Sequence, residues 1–137
     1  VAIFDRKRFL HVDYALLATF CVFFIFSGNM ARIDAVRSFF SALLEKNTLI
    51  FSALSCQVIS NVPSAILLSE FTNNYKELLL GVNIGGVGTL ISSLASLITF
   101  REYTSHVKGK TAQYIGMFSA FNFGFLIILT AFAMILV

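Results

Sequence analysis

An uncharged stretch of 23 residues decides the fold: NTLIFSALSCQVISNVPSAILLS, residues 47–69. Its first half suits an apolar helix, but polar residues and a proline then crowd into its middle: Gln57, Ser60, Asn61 and Pro63. A proline inside a helix costs about 3 kcal/mol or more, and an unpaired polar amide in hydrocarbon is also costly. A single break accommodates all four residues if Asn61 caps a second short helix with Pro63 in its first turn. Because each half is too short to cross a bilayer, the sequence predicts a re-entrant hairpin over residues 47–72.

Three more uncharged stretches accompany this one. All 17 charged residues lie in four short clusters, which leaves residues 14–31, 78–100 and 111–137 without charge. A helix of about 20 apolar residues crosses a hydrocarbon core of about 30 Å. Only 12% of the residues are charged, against about 25% in soluble domains. The sequence therefore predicts an all-α integral membrane protein that crosses the inner or plasma membrane several times, and it argues against nucleic-acid binding.

The same pattern assigns bounds to the remaining elements. We expect transmembrane helices over residues 13–29 and 112–136, with Asn122 bonding to a neighbouring helix. Residues 31–46 have one apolar face, which is typical of a helix in the membrane interface or of a loop helix packed on protein.

A discontinuous transmembrane helix is expected over residues 78–100. Three glycines within Asn83-Ile-Gly-Gly-Val-Gly-Thr89 each disfavour helix by about 1 kcal/mol. The alternative is that Gly81 and Gly85 only allow close helix packing.

Positive charges orient the chain only if the hairpin prediction holds. In that case the Lys and Arg residues are divided six to four between the two sides of the membrane. One side carries Arg6, Lys7, Arg8, Arg101, Lys108 and Lys110, and the other carries Arg32, Arg37, Lys46 and Lys76. The positive-inside rule then places the six-residue face in the cytoplasm. If residues 47–72 crossed the membrane instead, the split would be four against six and charge could not decide the orientation.

Two helix breaks in one short chain predict a shared polar site. Irregular backbone at membrane depth persists only where protein or water surrounds it, and transporters build midplane binding sites from such breaks. We expect free N–H groups for an anion at a helix starting near Asn61, and others at a helix starting near Leu90, beside Ser92 and Ser93. The side chains of Ser60 and Asn61, with carbonyls of residues 84–88, offer oxygens suited to Na⁺.

The two motifs together resemble the second half of the ion transporter superfamily, most closely its citrate transporter-like and arsenical-pump-like permeases. The resemblance covers nearly all of residues 1–137 and implies the C-terminal inverted-repeat half of a transporter, completed by a missing N-terminal half and commonly a homodimer. The chain departs from the family pattern at two positions. Val62 stands where the more distant divalent anion/sodium symporters have Thr, and Ser92 stands where the arsenical permeases tend to have Gly. The resemblance implies these binding residues at the tip and the break: Ser60, Asn61, Val62, Asn83, Gly85, Gly86, Gly88 and Thr89. Ser92 and Ser93, just after the break, are added to this set. Na⁺ is a candidate ligand at Ser60, Asn61, Gly86 and Gly88.

Three functions follow from this pattern, two of them transporters and one from a different class. The first is a secondary transporter of a small inorganic or organic anion, with Na⁺ or H⁺ as the coupling ion or with a partner ATPase. The uncharged stretches hold no carboxylate, the usual proton relay, which disfavours the second function, a sodium/proton antiporter. The third is a non-transporting scaffold subunit in the lipid bilayer.

Enzyme chemistry and a bound cofactor are not expected. His11 and His106 have no nucleophile pattern near them, and we expect both in solvated loops. Cys21 and Cys56 lack metal-ligand spacing.

Overall fold

A computed structural model describes residues 14–136, and within that range it contains helices and no strand. The helices are α1 (Tyr14–Met30), α2 (Asp34–Lys46), α3 (Thr48–Ile59), α4 (Asn61–Ser69), α5 (Tyr75–Gly85), α6 (Leu94–His106) and α7 (Thr111–Leu136). The first basic cluster, His11 and the start of the predicted helix 13–29 lie outside the described residues.

The centre of the molecule is formed by α3, α4 and α5. Each of these helices contacts the other two, while α1 packs on α4, α2 on α3 and α7 on α5. Phe71, just after α4, stacks on Phe40 of α2 with ring centroids 5.1 Å apart. Helices α3 and α4, which flank the break at Ser60, therefore both pack against α5, which precedes the glycine-rich segment. The buried core consists of Leu44, Cys56, Leu67, Leu68, Phe71, Leu78 and Val82.

Two glycines let α5 approach the backbone of α3. A Cβ atom added to Gly81 would lie 2.5 Å from the carbonyl oxygen of Leu49, and one added to Gly85 would lie 2.7 Å from the Cα of Ala53. The small-residue packing considered as an alternative for these glycines is therefore present. It coexists with a helix break, because α5 ends at Gly85 and the next eight residues are not helical.

The outer helices expose most of their apolar side chains. In the described range α7 is the one helix long and apolar enough to cross a membrane, at about 39 Å, and only 6% of its most apolar window is buried. A second span exists only if residues 17–30 and α2, which meet at a bend of 95°, count as one. Exposed apolar area of this extent requires lipid or protein to cover it.

Two sequence predictions near α7 are wrong in detail. Among the described residues the Asn122 amide makes no bond to another helix, and its Nδ2 donates to the Phe118 carbonyl 2.8 Å away in α7 itself. A carbonyl one turn back is always within reach of such a side chain. His106 is the last residue of α6 rather than part of a loop, since that helix runs six residues beyond Phe100, although its side chain is exposed as expected.

We expect Gly81→Ala to destabilise the fold by about 1–3 kcal/mol, because the added methyl group overlaps the backbone of α3. The matched control is Gly124→Ala, in α7, where an added Cβ meets nothing within 4 Å. Alanine is the better helix former, so the control should be neutral or slightly stabilising. Thermal unfolding in detergent measures both, and equal midpoints for the two variants would contradict the packing described.

Candidate functional site

The turn between α3 and α4 is a single residue in a strained conformation. Ser60 has φ +73° and ψ 159°, a region that is otherwise almost confined to glycine and costs about 1–3 kcal/mol. Its N–H donates to the Cys56 carbonyl at 3.1 Å, and its carbonyl accepts from the Ser64 N–H at 3.1 Å. Ser60 therefore ends one helix and begins the next.

The predicted cap of α4 needs correction. Asn61 is the first residue of the helix, and the N-cap position belongs to Ser60, whose side chain makes no capping bond. The Asn61 Oδ1 instead accepts from the neighbouring Val62 N–H at 2.9 Å.

The break between α5 and α6 is a compact loop over residues 86–93. Gly88 has φ +148°, which glycine adopts without strain. The buried Ser92 hydroxyl lies 2.9 Å from the Gly86 carbonyl and 2.7 Å from the Thr89 carbonyl. Because a turn closes here, with the Ser92 N–H bonded to the Thr89 carbonyl, α6 begins at Leu94 rather than near Leu90. Ser93 caps it by accepting from the Ala95 N–H at 3.2 Å.

The helix-to-helix turn and the loop meet directly. The Asn61 N–H donates to the Ser92 carbonyl at 2.8 Å, and the Ser60 hydroxyl donates to the same oxygen at 3.3 Å. A Cβ on Gly86 would lie 2.9 Å from the Asn61 Nδ2. The structure thus brings four of the predicted residues, Ser60, Asn61, Gly86 and Ser92, to one place, which we call the tip–break junction.

Gln57 holds this junction together, although the sequence pattern alone did not place it in the site. Its Nε2 donates to the Gly85 carbonyl at 2.7 Å and to the Ala53 carbonyl at 3.0 Å. Its Oε1 accepts from the Thr89 N–H at 2.9 Å, and the Thr89 hydroxyl donates to the Gln57 carbonyl at 3.1 Å. The available signal was a primary amide in the middle of an apolar stretch, three residues before Ser60.

Other predicted residues lie apart from the junction or have other contacts. Asn83 is exposed, and its Nδ2 donates to the Leu79 carbonyl of its own helix at 2.7 Å. Val62 is 45% exposed. Gly85 is buried against α3. A ligand role for these residues stays a prediction, as does Na⁺ binding by the Gly86 and Gly88 carbonyls.

The two helix N-termini differ in the N–H groups that they leave free. At α4 the expected free groups are absent, because Asn61, Val62 and Ser64 all donate within the protein and Pro63 has no N–H. That expectation is wrong because the acceptors come from three places: the Ser92 carbonyl in the loop, the Asn61 side chain, and the Ser60 carbonyl of the turn. At α6 the backbone N–H groups of residues 94 and 96 have no partner among residues 14–136, and the same holds for the Nδ2 of Asn61.

The junction therefore presents unpaired hydrogen-bond donors and no charged side chain. Donors at a helix N-terminus favour anionic groups. Within the described residues there is no cluster of three or more His, Cys, Asp or Glu side chains that could hold a metal ion.

Comparisons with known proteins link the chain to membrane transport. It is 40% identical over 108 residues to the uncharacterized transporter MJ0456 of Methanocaldococcus jannaschii, covering 79% of this chain and 30% of that protein. It is 37% identical over 103 residues to the inner membrane protein YbiR of Escherichia coli, covering 73% of this chain and 28% of that protein. The chain thus spans less than a third of the length of either relative. No protein-family model and no solved structure matches it. The relatives and the apolar α7 point to a membrane location.

We expect Gln57→Ala to destabilise the fold by about 1–3 kcal/mol, because the Gly85 carbonyl and the Thr89 N–H lose their partner. Gln113→Ala removes the same side chain from an exposed position on α7 and is the control. The midpoint of thermal unfolding in detergent measures the difference. Equal midpoints for Gln57→Ala and Gln113→Ala would show that the hydrogen bonds of the Gln57 side chain do not stabilise the fold.

Gly88→Ala should be less harmful in the Gln57→Ala background than alone. The added Cβ overlaps the Gln57 Oε1, so removing that amide relieves the overlap and leaves only the backbone strain of a positive φ. A double-mutant cycle on unfolding free energies measures this coupling. Strictly additive effects would mean that Gln57 does not restrict the conformation of the loop.

Proposed function

We propose that the chain is the C-terminal repeat of a secondary active transporter that carries a small inorganic or organic anion. The family proposed is the ion transporter superfamily, in its citrate transporter-like or arsenical-pump-like branch. The two matched relatives, one named a transporter and one named an inner membrane protein, support this proposal. In it residues 47–72 are a re-entrant hairpin, residues 78–100 are a discontinuous transmembrane helix, and the protein crosses the membrane several times.

One contact carries the proposal: the Asn61 N–H bonded to the Ser92 carbonyl at 2.8 Å. It joins the break at Ser60 to the break over residues 86–93, and the two bonded residues are 31 positions apart in sequence. Transporter sites at membrane depth are built where such interruptions meet. In this proposal the substrate lies against the tip–break junction, and the missing N-terminal half supplies the opposite wall.

The donors left free at the junction favour an anion over a cation. The Asn61 Nδ2 and the N–H groups of Leu94 and Ser96 have no partner among the described residues. The two backbone N–H groups offer positive partial charge at the N-terminus of α6. No carboxylate lies within the uncharged stretches, so a sodium/proton antiporter would need its proton relay elsewhere.

A scaffold subunit is the second candidate, and one observation favours it. The Gln57 side chain bonds to the end of α5 and to the loop over residues 86–93, and the Ser92 hydroxyl bonds within that loop, as expected if the junction only joins these elements. The Asn61 Nδ2, which has no partner among the described residues, is the group whose removal tests the two functions against each other.

We expect Asn61→Ala to lower anion uptake about tenfold or more, since a hydrogen bond to a charged group contributes about 1.5–3 kcal/mol. Uptake is measured in proteoliposomes of the whole protein, with radiolabelled citrate, succinate, sulfate and phosphate under imposed Na⁺ and pH gradients. Asn73→Ala, in the exposed turn before α5, is the control and should transport normally.

The outcomes of this experiment separate the candidates. Full uptake of a transported anion by Asn61→Ala removes the site assignment. Cation-dependent proton movement without anion uptake favours the antiporter. Folded protein that moves neither in any gradient favours the scaffold.

A further inference from the structure

A groove between the end of α6 and the first half of α7 lies outside the tip–break junction. It has a volume of about 490 Å³, and its lining includes Tyr103, Lys110, Tyr114, Met117, Phe121 and Asn122. Tyr114, Met117 and Phe121 are three and four residues apart, with Asn122 beside the last, so the α7 members form one stripe along that helix. The stripe is apolar except at its two ends.

Aromatic rings form one wall of the groove. The Tyr114 ring stacks on Tyr103 with centroids 4.6 Å apart and contacts Phe100 at 5.6 Å and Phe118 at 5.9 Å. Tyrosine is enriched where hydrocarbon meets the headgroup region, because its ring is apolar and its hydroxyl is polar. The stack marks the outer end of the groove as a position at the membrane surface.

The charge at that outer end is positive. Lys110 lies at the mouth, and Lys108 and Arg101 are exposed nearby in the sequence. The only carboxylate between residues 101 and 110 is that of Glu102, whose Oε1 lies 3.4 Å from the His106 Nδ1. In the described part of the chain Lys110 has no ion-pair partner, so its charge is available to an anionic group.

The length of the groove matches one leaflet of a bilayer. From Lys110 to Asn122 the α7 axis rises about 18 Å, and half of a hydrocarbon core is about 15 Å. The groove is cationic at its outer end, has aromatic side chains beside that end and is apolar along its length. These features fit one amphipathic molecule with an anionic head.

We propose that this groove binds a single anionic phospholipid from the leaflet nearest the 101–110 segment. Its phosphate contacts Lys110 and one acyl chain lies along Met117 and Phe121. Bound lipid would cover part of the apolar surface that α7 exposes and would fix the depth of α6 and α7 in the membrane.

Native mass spectrometry of the full chain tests this with added dioleoyl phosphatidylglycerol or dioleoyl phosphatidylcholine. We expect Lys110→Gln to lower the preference for phosphatidylglycerol about fivefold, the upper range for one direct ion pair at an exposed site. Lys108→Gln removes the same charge two residues away, outside the groove lining, and should change the preference by less than about twofold because it makes no direct contact with the bound lipid. Equal losses for both variants would show only general surface attraction and would overturn the proposal.

Two variants that change side-chain size test the groove independently of charge. Met117→Trp should reduce binding of both lipids, because the larger ring fills the groove. Phe123→Trp, outside the lining, should leave binding unchanged. Retained lipid in Met117→Trp would overturn the proposal, and so would cross-linking from position 117 to a second copy or to another protein segment instead of lipid. If Met117→Trp does not fold, the lysine pair decides alone, because both of those side chains are exposed.

Discussion

Backbone groups freed at two helix breaks need partners in an apolar surrounding, and here the two breaks supply partners for each other. The turn at Ser60 leaves the N–H of Asn61, the first residue of α4, without a partner inside that helix, and the loop before α6 leaves the Ser92 carbonyl outside any helix. These two groups bond at 2.8 Å. An unpaired buried amide costs about 1–3 kcal/mol, so neither break is favourable without the other. This mutual dependence explains why the short chain contains both.

The same pairing constrains how the parts can move. Gln57 bonds to backbone at the end of α5 and within the glycine-rich loop, and Gly81 and Gly85 let α5 lie close to α3. Helices α3, α4 and α5 therefore form one tightly bonded unit. By contrast α6 buries no residue and α7 buries one, so the outer helices depend on lipid or on other protein for most of their contacts. In a transporter of the proposed kind, the tightly bonded unit would move together.

Positions of breaks could be predicted from the sequence because they follow from local chemistry. Pro63 and the glycines at 85, 86 and 88 are poor helix residues wherever they occur, and charge clusters mark the ends of apolar stretches. Hydrogen-bond partners could not be predicted in the same way, because tertiary packing decides them. Asn122 bonds to a carbonyl in its own helix, and the N–H groups expected to be free at α4 bond to Ser92 of the loop, to the Asn61 side chain and to Ser60. Gln57 was visible as an anomaly, but its partners lie 28 and 32 residues away.

The central claim is that the chain reverses direction at Ser60 within the membrane, so that both ends of the hairpin lie on one side. Asp34→Cys and Lys76→Cys place thiols at exposed positions before and after it, in a Cys21→Ser background where the remaining Cys56 is fully buried. Lys108→Cys, beyond the broken helix, marks the opposite side. With a membrane-impermeant maleimide applied to intact cells and to inverted vesicles, the account predicts that positions 34 and 76 react in the same preparation and position 108 in the other. Reaction of positions 34 and 76 in different preparations would contradict it.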